Sequence, residues 1–129
     1  MLCADVNQNA ANETVEIIRQ ENRTANAICA DVTSHDEIRR MVKACRDTYR
    51  RLDVVDYNVG LAHVGEVVEL PEEEWDRIFA VNLKDCYPTM KHVIPIMEKQ
   101  GGGSIINISS VAPIVSGQSL ERLVEGLIT

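Results

Sequence analysis

The sequence predicts an α/β layered fold built on a parallel sheet. Short apolar runs of strand length alternate with longer segments whose apolar residues recur at helical spacing. Their order is strand, helix, strand, helix, strand, helix, strand, the alternation that right-handed crossovers between parallel strands require. With 129 residues and 45% hydrophobic content, the chain can bury one domain-sized core.

Met1 to Val6 reads as the first strand, closed by the polar cluster Asn7, Gln8 and Asn9. A helix over 10–21 follows, with Ala10, Ala11, Thr14, Val15 and Ile18 at helical spacing. After a polar turn at 21–24, Ala25 to Val32 is the second strand. Ser34 and Glu37 have the spacing of a capping box for the next helix, whose apolar stripe is Ile38, Met41, Val42 and Cys45. Arg39, Arg40, Lys43, Arg46, Arg50 and Arg51 share that segment with Asp36, Glu37 and Asp47, which reads as a solvated face rather than a basic docking patch.

Leu52 to Tyr57 is the third strand, followed by a loop over 61–70. Pro71 and the acidic run Glu72 to Glu74 mark a helix start, since those carboxylates complement the positive end of the helix dipole. Trp75, Ile78, Phe79, Val81 and Leu83 carry its apolar face. A further helix over 89–99 presents Met90, Val93, Ile94 and Met97, with Pro88 and Pro95 expected to bend or break the region. Gly101 to Gly103 read as its C-cap and Ser104 to Ser109 as the fourth strand. Beyond Pro113, Leu120, Leu123, Val124, Leu127 and Ile128 predict a short amphipathic helix over 119–128, capped by Ser119. It covers the sheet or docks on a partner.

Composition narrows the function classes. A net charge of -7 argues against non-specific binding to nucleic acid or an anionic membrane. No apolar run has membrane-spanning length, and the start MLCADVNQNA does not read as a signal peptide. Cys3, Cys29, Cys45 and Cys86 are scattered without a C-x-x-C pair. They are expected as free thiols in a reducing, cytoplasmic compartment. His35, His63 and His92 have no metal-ligand spacing, so no metal site is expected.

In parallel α/β sheets ligands bind beyond the carboxyl ends of the strands. The residues at those ends are Asp5, Asp31, Asn58 to Gly60, and Ser109 with Ser110. An acid at Asp5 can accept two hydrogen bonds from a ribose diol and repels a 2′-phosphate, though it can equally flank the following helix. Asn58-Val59-Gly60 puts a small backbone where a flat ring could approach closely. Asn82 is a poor helix former in mid-helix, where its amide can bond an opened backbone carbonyl and a water or simply lie exposed.

Taken in order, Leu2-Cys3-Ala4-Asp5, Ala30-Asp31-Val32, Leu52 to Gly60, WDRIFAVNL over 75–83 and GSIINISS over 103–110 resemble the short-chain dehydrogenase/reductase family. The resemblance spans roughly residues 1 to 115. It implies a three-layer, Rossmann-like parallel sheet that binds NAD(H) or NADP(H) and moves a hydride to or from an alcohol or carbonyl carbon. By resemblance Asp5 holds the adenine ribose and favours NAD, and Asp31 and Val32 contact the adenine. Asn58 and Gly60 line the cofactor, Asn82 supports a proton-relay water, and Ser110 orients the substrate oxygen. The family's Asn-Asn-Ala-Gly reads Tyr57-Asn58-Val59-Gly60 here, so Val59 is bulkier than the usual alanine. Asp56 stands where the family prefers an apolar residue.

Two parts of the family pattern are not in this sequence. The first glycine is Gly60, so there is no glycine-rich phosphate loop, and the strand that normally lies between those bearing Asp5 and Asn58 has no counterpart. Its loss either leaves a gap or lets those two strands close on each other. The tyrosine and lysine expected about a dozen and sixteen residues past Ser110 are replaced by apolar residues near Leu123 and Leu127. The expectation is a single partial domain over 1–129, the sheet incomplete at its first and last strands. It is of NAD-dependent oxidoreductase lineage, acts on a small alcohol or carbonyl compound, and is inactive at this length. The alternative is a non-catalytic remnant or short isoform acting by protein association, with a homo-oligomer possible.

Overall fold

The structure, a computed structural model, describes residues 1–63 and 67–109. The expectations for Ser110 and for the helix over 119–128 lie outside the described residues. In chain order the elements are β1 (Leu2–Asp5), α1 (Gln8–Gln20), β2 (Asn26–Cys29), α2 (His35–Tyr49), β3 (Val54–Tyr57), a 3-10 turn (Val67–Glu69), α3 (Glu72–Phe79), a π-helical turn (Ala80–Lys84), α4 (Cys86–Gln100) and β4 (Ser104–Asn107). The alternation is the one the sequence predicts.

The strands form two parallel pairs rather than one continuous sheet. β1 pairs with β2, Leu2 opposite Asn26 through Asp5 opposite Cys29. β3 pairs with β4, Val54 opposite Ser104 through Tyr57 opposite Asn107. β1 and β3 do not pair. Both border one cavity of about 950 Å³ that no residue of β2 or β4 touches, so the order across the molecule is β2, β1, gap, β3, β4. Of the two outcomes open to a sheet without its central strand, the chain takes the gap. α1 connects β1 to β2, whereas α2 connects β2 to β3 in the opposite direction across the sheet. Right-handed crossovers then place the two helices on opposite faces.

Helix starts follow local chemistry. Asn7 caps α1 by accepting from the Asn9 and Ala10 amides at 3.0 and 3.4 Å, so the polar cluster at 7–9 starts the helix rather than merely ending the strand. The Ser34 hydroxyl accepts from the Glu37 amide at 3.4 Å, but the Glu37 carboxylate reaches the Asp31 amide at 2.6 Å instead of closing the box on Ser34. Pro71 precedes α3 without a side-chain cap, and Glu72, Glu73 and Glu74 fill its first turn.

α4 runs unbroken from Cys86 to Gln100 through both Pro88 and Pro95, correcting the expectation of a break. Pro88 sits in the first turn, where its missing N–H has no intrahelical partner to lose. Pro95 removes one interior bond, and the burial of Val93 and Met97 on either side holds the helix against that loss. Gly101 ends it in the left-handed region at φ 93°, with the Gly102 amide returning to the Met97 carbonyl at 2.8 Å.

The core gathers where α2 and α4 meet β3: Ile38, Val42, Leu52, Val93 and Met97, flanked by Cys45, Val55, Ile96 and Ile105. Ile38 and Val93 are each 1% exposed, and burial of such a side chain stabilises by about 1.5–3 kcal/mol. α1 contributes Ala11 and Val15 against the β1–β2 pair. The basic residues of α2 are exposed, and several are ion-paired along the surface, Arg39 with Asp36 at 2.7 Å and Lys43 with Asp47, as a solvated face requires.

Candidate functional site

Parallel strands all end on one side of a sheet, so their carboxyl ends share a rim. Asp5, Asp31, Val32, Asn58 and Gly60 all line the cavity between the two half-sheets. Val6, Thr33, Val59 and Leu61 complete that rim, while Val42 and Cys45 of α2, Val81 of the π-helical turn, and Thr89 and Val93 of α4 line the cavity wall.

Each acid also serves its turn. Asp5 Oδ1 accepts the Asn7 N–H at 2.8 Å, which fixes the approach to the α1 cap and uses one carboxylate oxygen. Asp31 Oδ1 accepts from both the amide and the hydroxyl of Thr33 at 2.8 Å, and the Asp31 carbonyl accepts from Ser34 at 3.1 Å. These contacts end β2 at Cys29 rather than at Val32, because Asp31 turns the chain into α2. Asp56 is exposed, so the desolvation cost of a buried, unpaired carboxylate does not arise.

Gly60 is exposed at the mouth. Among the described residues, a Cβ built there meets only Asn82 Oδ1, at 3.8 Å, so the backbone has room for a close approach. Asn82 does not line the cavity. It lies in the π-helical turn, closed by the Asp85 amide donating to the Ala80 carbonyl at 2.9 Å. From there it grips the loop after β3: the Leu61 N–H donates to Asn82 Oδ1 at 2.7 Å, and Asn82 Nδ2 donates to the Leu61 carbonyl at 2.8 Å. The predicted amide–carbonyl bond exists, but its partner is the neighbouring loop rather than a carbonyl of its own helix.

Two groups near the site escaped sequence reasoning. The Tyr57 hydroxyl is buried and donates to the Val81 carbonyl at 3.0 Å, tying β3 to the π-helical turn. Burial, then the nearby Asp85 and Cys86, push this phenol up to about 12, so it holds its proton at neutral pH. Asp85, only 4% exposed, carries an Oδ2 with no hydrogen-bond partner among the described residues. Desolvation raises its pKa, opposed by Lys84, with Asp31 adding to the rise and His35 opposing it. The irregular turn over 80–85 exposes carbonyls and cages side chains that a regular helix would not, and only Asn82 and Asp85 in that run hint at it in the sequence.

Among the described residues no group of His, Cys, Asp and Glu could hold a metal ion, and no helix is long and apolar enough to cross a membrane. The four cysteines are free.

Comparison with known proteins agrees with this architecture. The family pattern described as short chain dehydrogenase matches residues 1–120. An uncharacterized oxidoreductase of Thermotoga maritima is 36% identical over 111 residues, covering 86% of this chain and 43% of that protein. An uncharacterized NAD-dependent oxidoreductase of Mycobacterium tuberculosis is 36% identical over 101 residues, covering 78% and 37%. Among solved structures, a 7α-hydroxysteroid dehydrogenase complexed with NADH and 7-oxo glycochenodeoxycholic acid superposes with a TM-score of 0.81 at 26% identity, covering 96% of this chain and 48% of that one. The chain therefore spans less than half the length of these relatives.

Proposed function

Because this chain belongs to the short-chain dehydrogenase family, we propose that residues 1–109 form the nucleotide-binding half of an NAD-dependent oxidoreductase site. The observation that carries this reading is the convergence of Asp5, Asp31, Val32, Asn58 and Gly60 on one cavity mouth at the carboxyl ends of β1, β2 and β3. The residues suit the adenosine end of a dinucleotide. Asp5 has one carboxylate oxygen outside its bond to Asn7 and can accept from a ribose hydroxyl. A 2′-phosphate there would face a negative charge, which favours NAD over NADP. Val32 offers an apolar side for the adenine, with Asp31 beside it. The open backbone at Gly60 admits a flat ring, and the Asn82 clamp fixes the loop carrying it.

When bound, NAD supplies a carbon that accepts or returns a hydride from a small alcohol or carbonyl compound. Ser110 is assigned to orient the substrate oxygen. A general base must hold a proton loosely at working pH. Tyr57 does the opposite, so it is not that base. The tyrosine and lysine that the resemblance places past Ser110 read as apolar residues here, so these 129 residues by themselves are expected not to turn over. With no glycine-rich turn before Gly60 to meet the pyrophosphate, it binds NAD weakly.

The test is a purified-protein assay with NAD(H) and a panel of alcohols and ketones, alongside calorimetry. We expect no sustained absorbance change at the nicotinamide band and an affinity weaker than about 100 μM. Steady turnover abolished by Ser110→Ala, or tight binding of NAD, would overturn the inactive reading. Equal affinity for NADP would remove the role given to Asp5.

A further inference from the structure

The far edge of β2 is finished by side chains of α2. In a parallel pair, alternate residues send their N–H and C=O to one neighbour and then to the other. The Asn26 and Ala30 amides donate to the Met1 and Asp5 carbonyls of the β1 side, at 3.0 Å each. Asn26, Ile28 and Ala30 therefore face β1, and the backbone groups of Cys29 and Asp31 face the other way. Among the described residues no strand pairs with β2 on that side. A strand there would fill the slot beside Ala30 with one residue, donating to the Cys29 carbonyl and accepting from the Asp31 N–H. Arg40 and Glu37 do both. Arg40 Nη2 donates to the Cys29 carbonyl at 2.6 Å, and Glu37 Oε2 accepts from the Asp31 N–H at 2.6 Å. The two side chains, one turn apart on α2, pair at 3.8 Å.

Capping and packing do not explain this arrangement. Glu37 stands in the first turn of α2, where a capping-box carboxylate would return to the Ser34 amide. That amide donates instead to the Asp31 carbonyl at 3.1 Å, and Glu37 reaches past it to the strand end. The Arg40 and Glu37 side chains are 57% and 40% exposed, so they bury little apolar surface. What they fix is Asp31. Its amide is held by Glu37, its carbonyl by Ser34, and its Oδ1 by the amide and hydroxyl of Thr33. Among the described residues, Asp31 Oδ2 and the neighbouring Val32 are left for a ligand in the cavity that both residues line.

We propose, resting on the nucleotide reading of the rim, that Glu37 and Arg40 are positioning residues for the adenine end. Together they act as one residue of a neighbouring strand and hold Asp31 and Val32 where the base docks. They touch no ligand themselves. Without them the edge slot beside Ala30 goes to water, and the turn from β2 into α2 has to be ordered again each time a ligand binds. That cost falls on recognition of the base and leaves recognition of the sugar phosphate alone.

The test follows amide shifts of the 129-residue chain during titration with adenosine monophosphate and with ribose 5-phosphate, which lacks the base. The unaltered chain should bind the adenine nucleotide more tightly, with Asp31 and Val32 on its binding curve. Glu37→Ala and Arg40→Ala should each cut that preference by roughly fivefold, the effect of one hydrogen bond, with ribose 5-phosphate bound as before. Glu37→Gln keeps an acceptor oxygen and should restore the preference to within about twofold. An unchanged preference in both alanine variants would overturn the positioning role and leave the nucleotide reading intact. Equal weakening toward both ligands, or no recovery in Glu37→Gln, would overturn it as well, since a structural role alone would not single out the base. If the adenine nucleotide shifts none of Asp5, Asp31 and Val32 in the unaltered chain, the nucleotide reading fails and the positioning role falls with it.

Discussion

Asn82 holds Leu61 by both of its backbone groups, accepting from the N–H at 2.7 Å and donating to the carbonyl at 2.8 Å. One side chain in a π-helical turn thereby fixes the loop that leaves β3 and carries Gly60. Each such bond is worth about 0.5–1.5 kcal/mol net. Asn82→Ala is expected to destabilise by about 1–2 kcal/mol and to speed amide exchange at Leu61. Asn82→Asp, which keeps only the acceptor, should fall between. Urea midpoints of the three proteins check the order, and equal midpoints would mean the clamp is idle.

Gly103 stands where a side chain has no room. A Cβ there would lie 2.5 Å from Met97 Sδ and 2.6 Å from its Cγ, and Met97 is itself core. Gly103→Ala should cost about 1–3 kcal/mol by overpacking. The cost should shrink in a Met97→Ala background, the non-additivity that a double-mutant cycle measures. An additive result would place the strain elsewhere.

Tyr57 should ionise late. With its phenol pushed up to about 12 by burial first, the folded state keeps a proton that the unfolded chain releases near the usual value of 10.0. Its contribution is present below about pH 10 and is lost as pH rises through about 12. Ultraviolet titration should show a late phase that vanishes in Tyr57→Phe. That variant should also lose about 1 kcal/mol at neutral pH, having no donor for the Val81 carbonyl.

Asp85 acts with the same sign at lower pH. Burial raises its pKa, so the folded state disfavours the carboxylate, and stability falls as pH climbs above the ordinary carboxylate range. Asp85→Asn should raise the thermal midpoint at pH 7, with the gain shrinking as the solution is acidified toward about pH 4. A gain independent of pH would point to packing rather than charge.

The fold was readable because periodicity and caps agree along most of the chain. Asn7, Ser34, the acidic run at 72–74 and Gly101 each mark an observed boundary within a residue or two. The apolar runs are longer than the strands, because Asp31 turns the chain after β2 while Asp53, bound to Arg51, precedes β3 at Val54. The continuous α4 was missed because proline rules weigh local backbone cost, whereas Val93 and Met97 supply tertiary packing. The rim residues were legible as strand ends. Their second tasks were not, since the bonds from Asp5 to Asn7, Asp31 to Thr33 and Asn82 to Leu61 depend on how the chain turns after each strand.

The central claim is that three strand ends form half of a nucleotide crevice, and a titration followed by amide chemical shifts tests it most directly. Raising NAD to several millimolar, on the order of a weak dissociation constant, should move the amides of Asp5, Asp31, Val32 and Gly60 together along one binding curve. The effect should be smaller with NADP and lost in Asp5→Ala. Shifts confined to the arginine-rich face of α2, or four residues following unrelated curves, would contradict it.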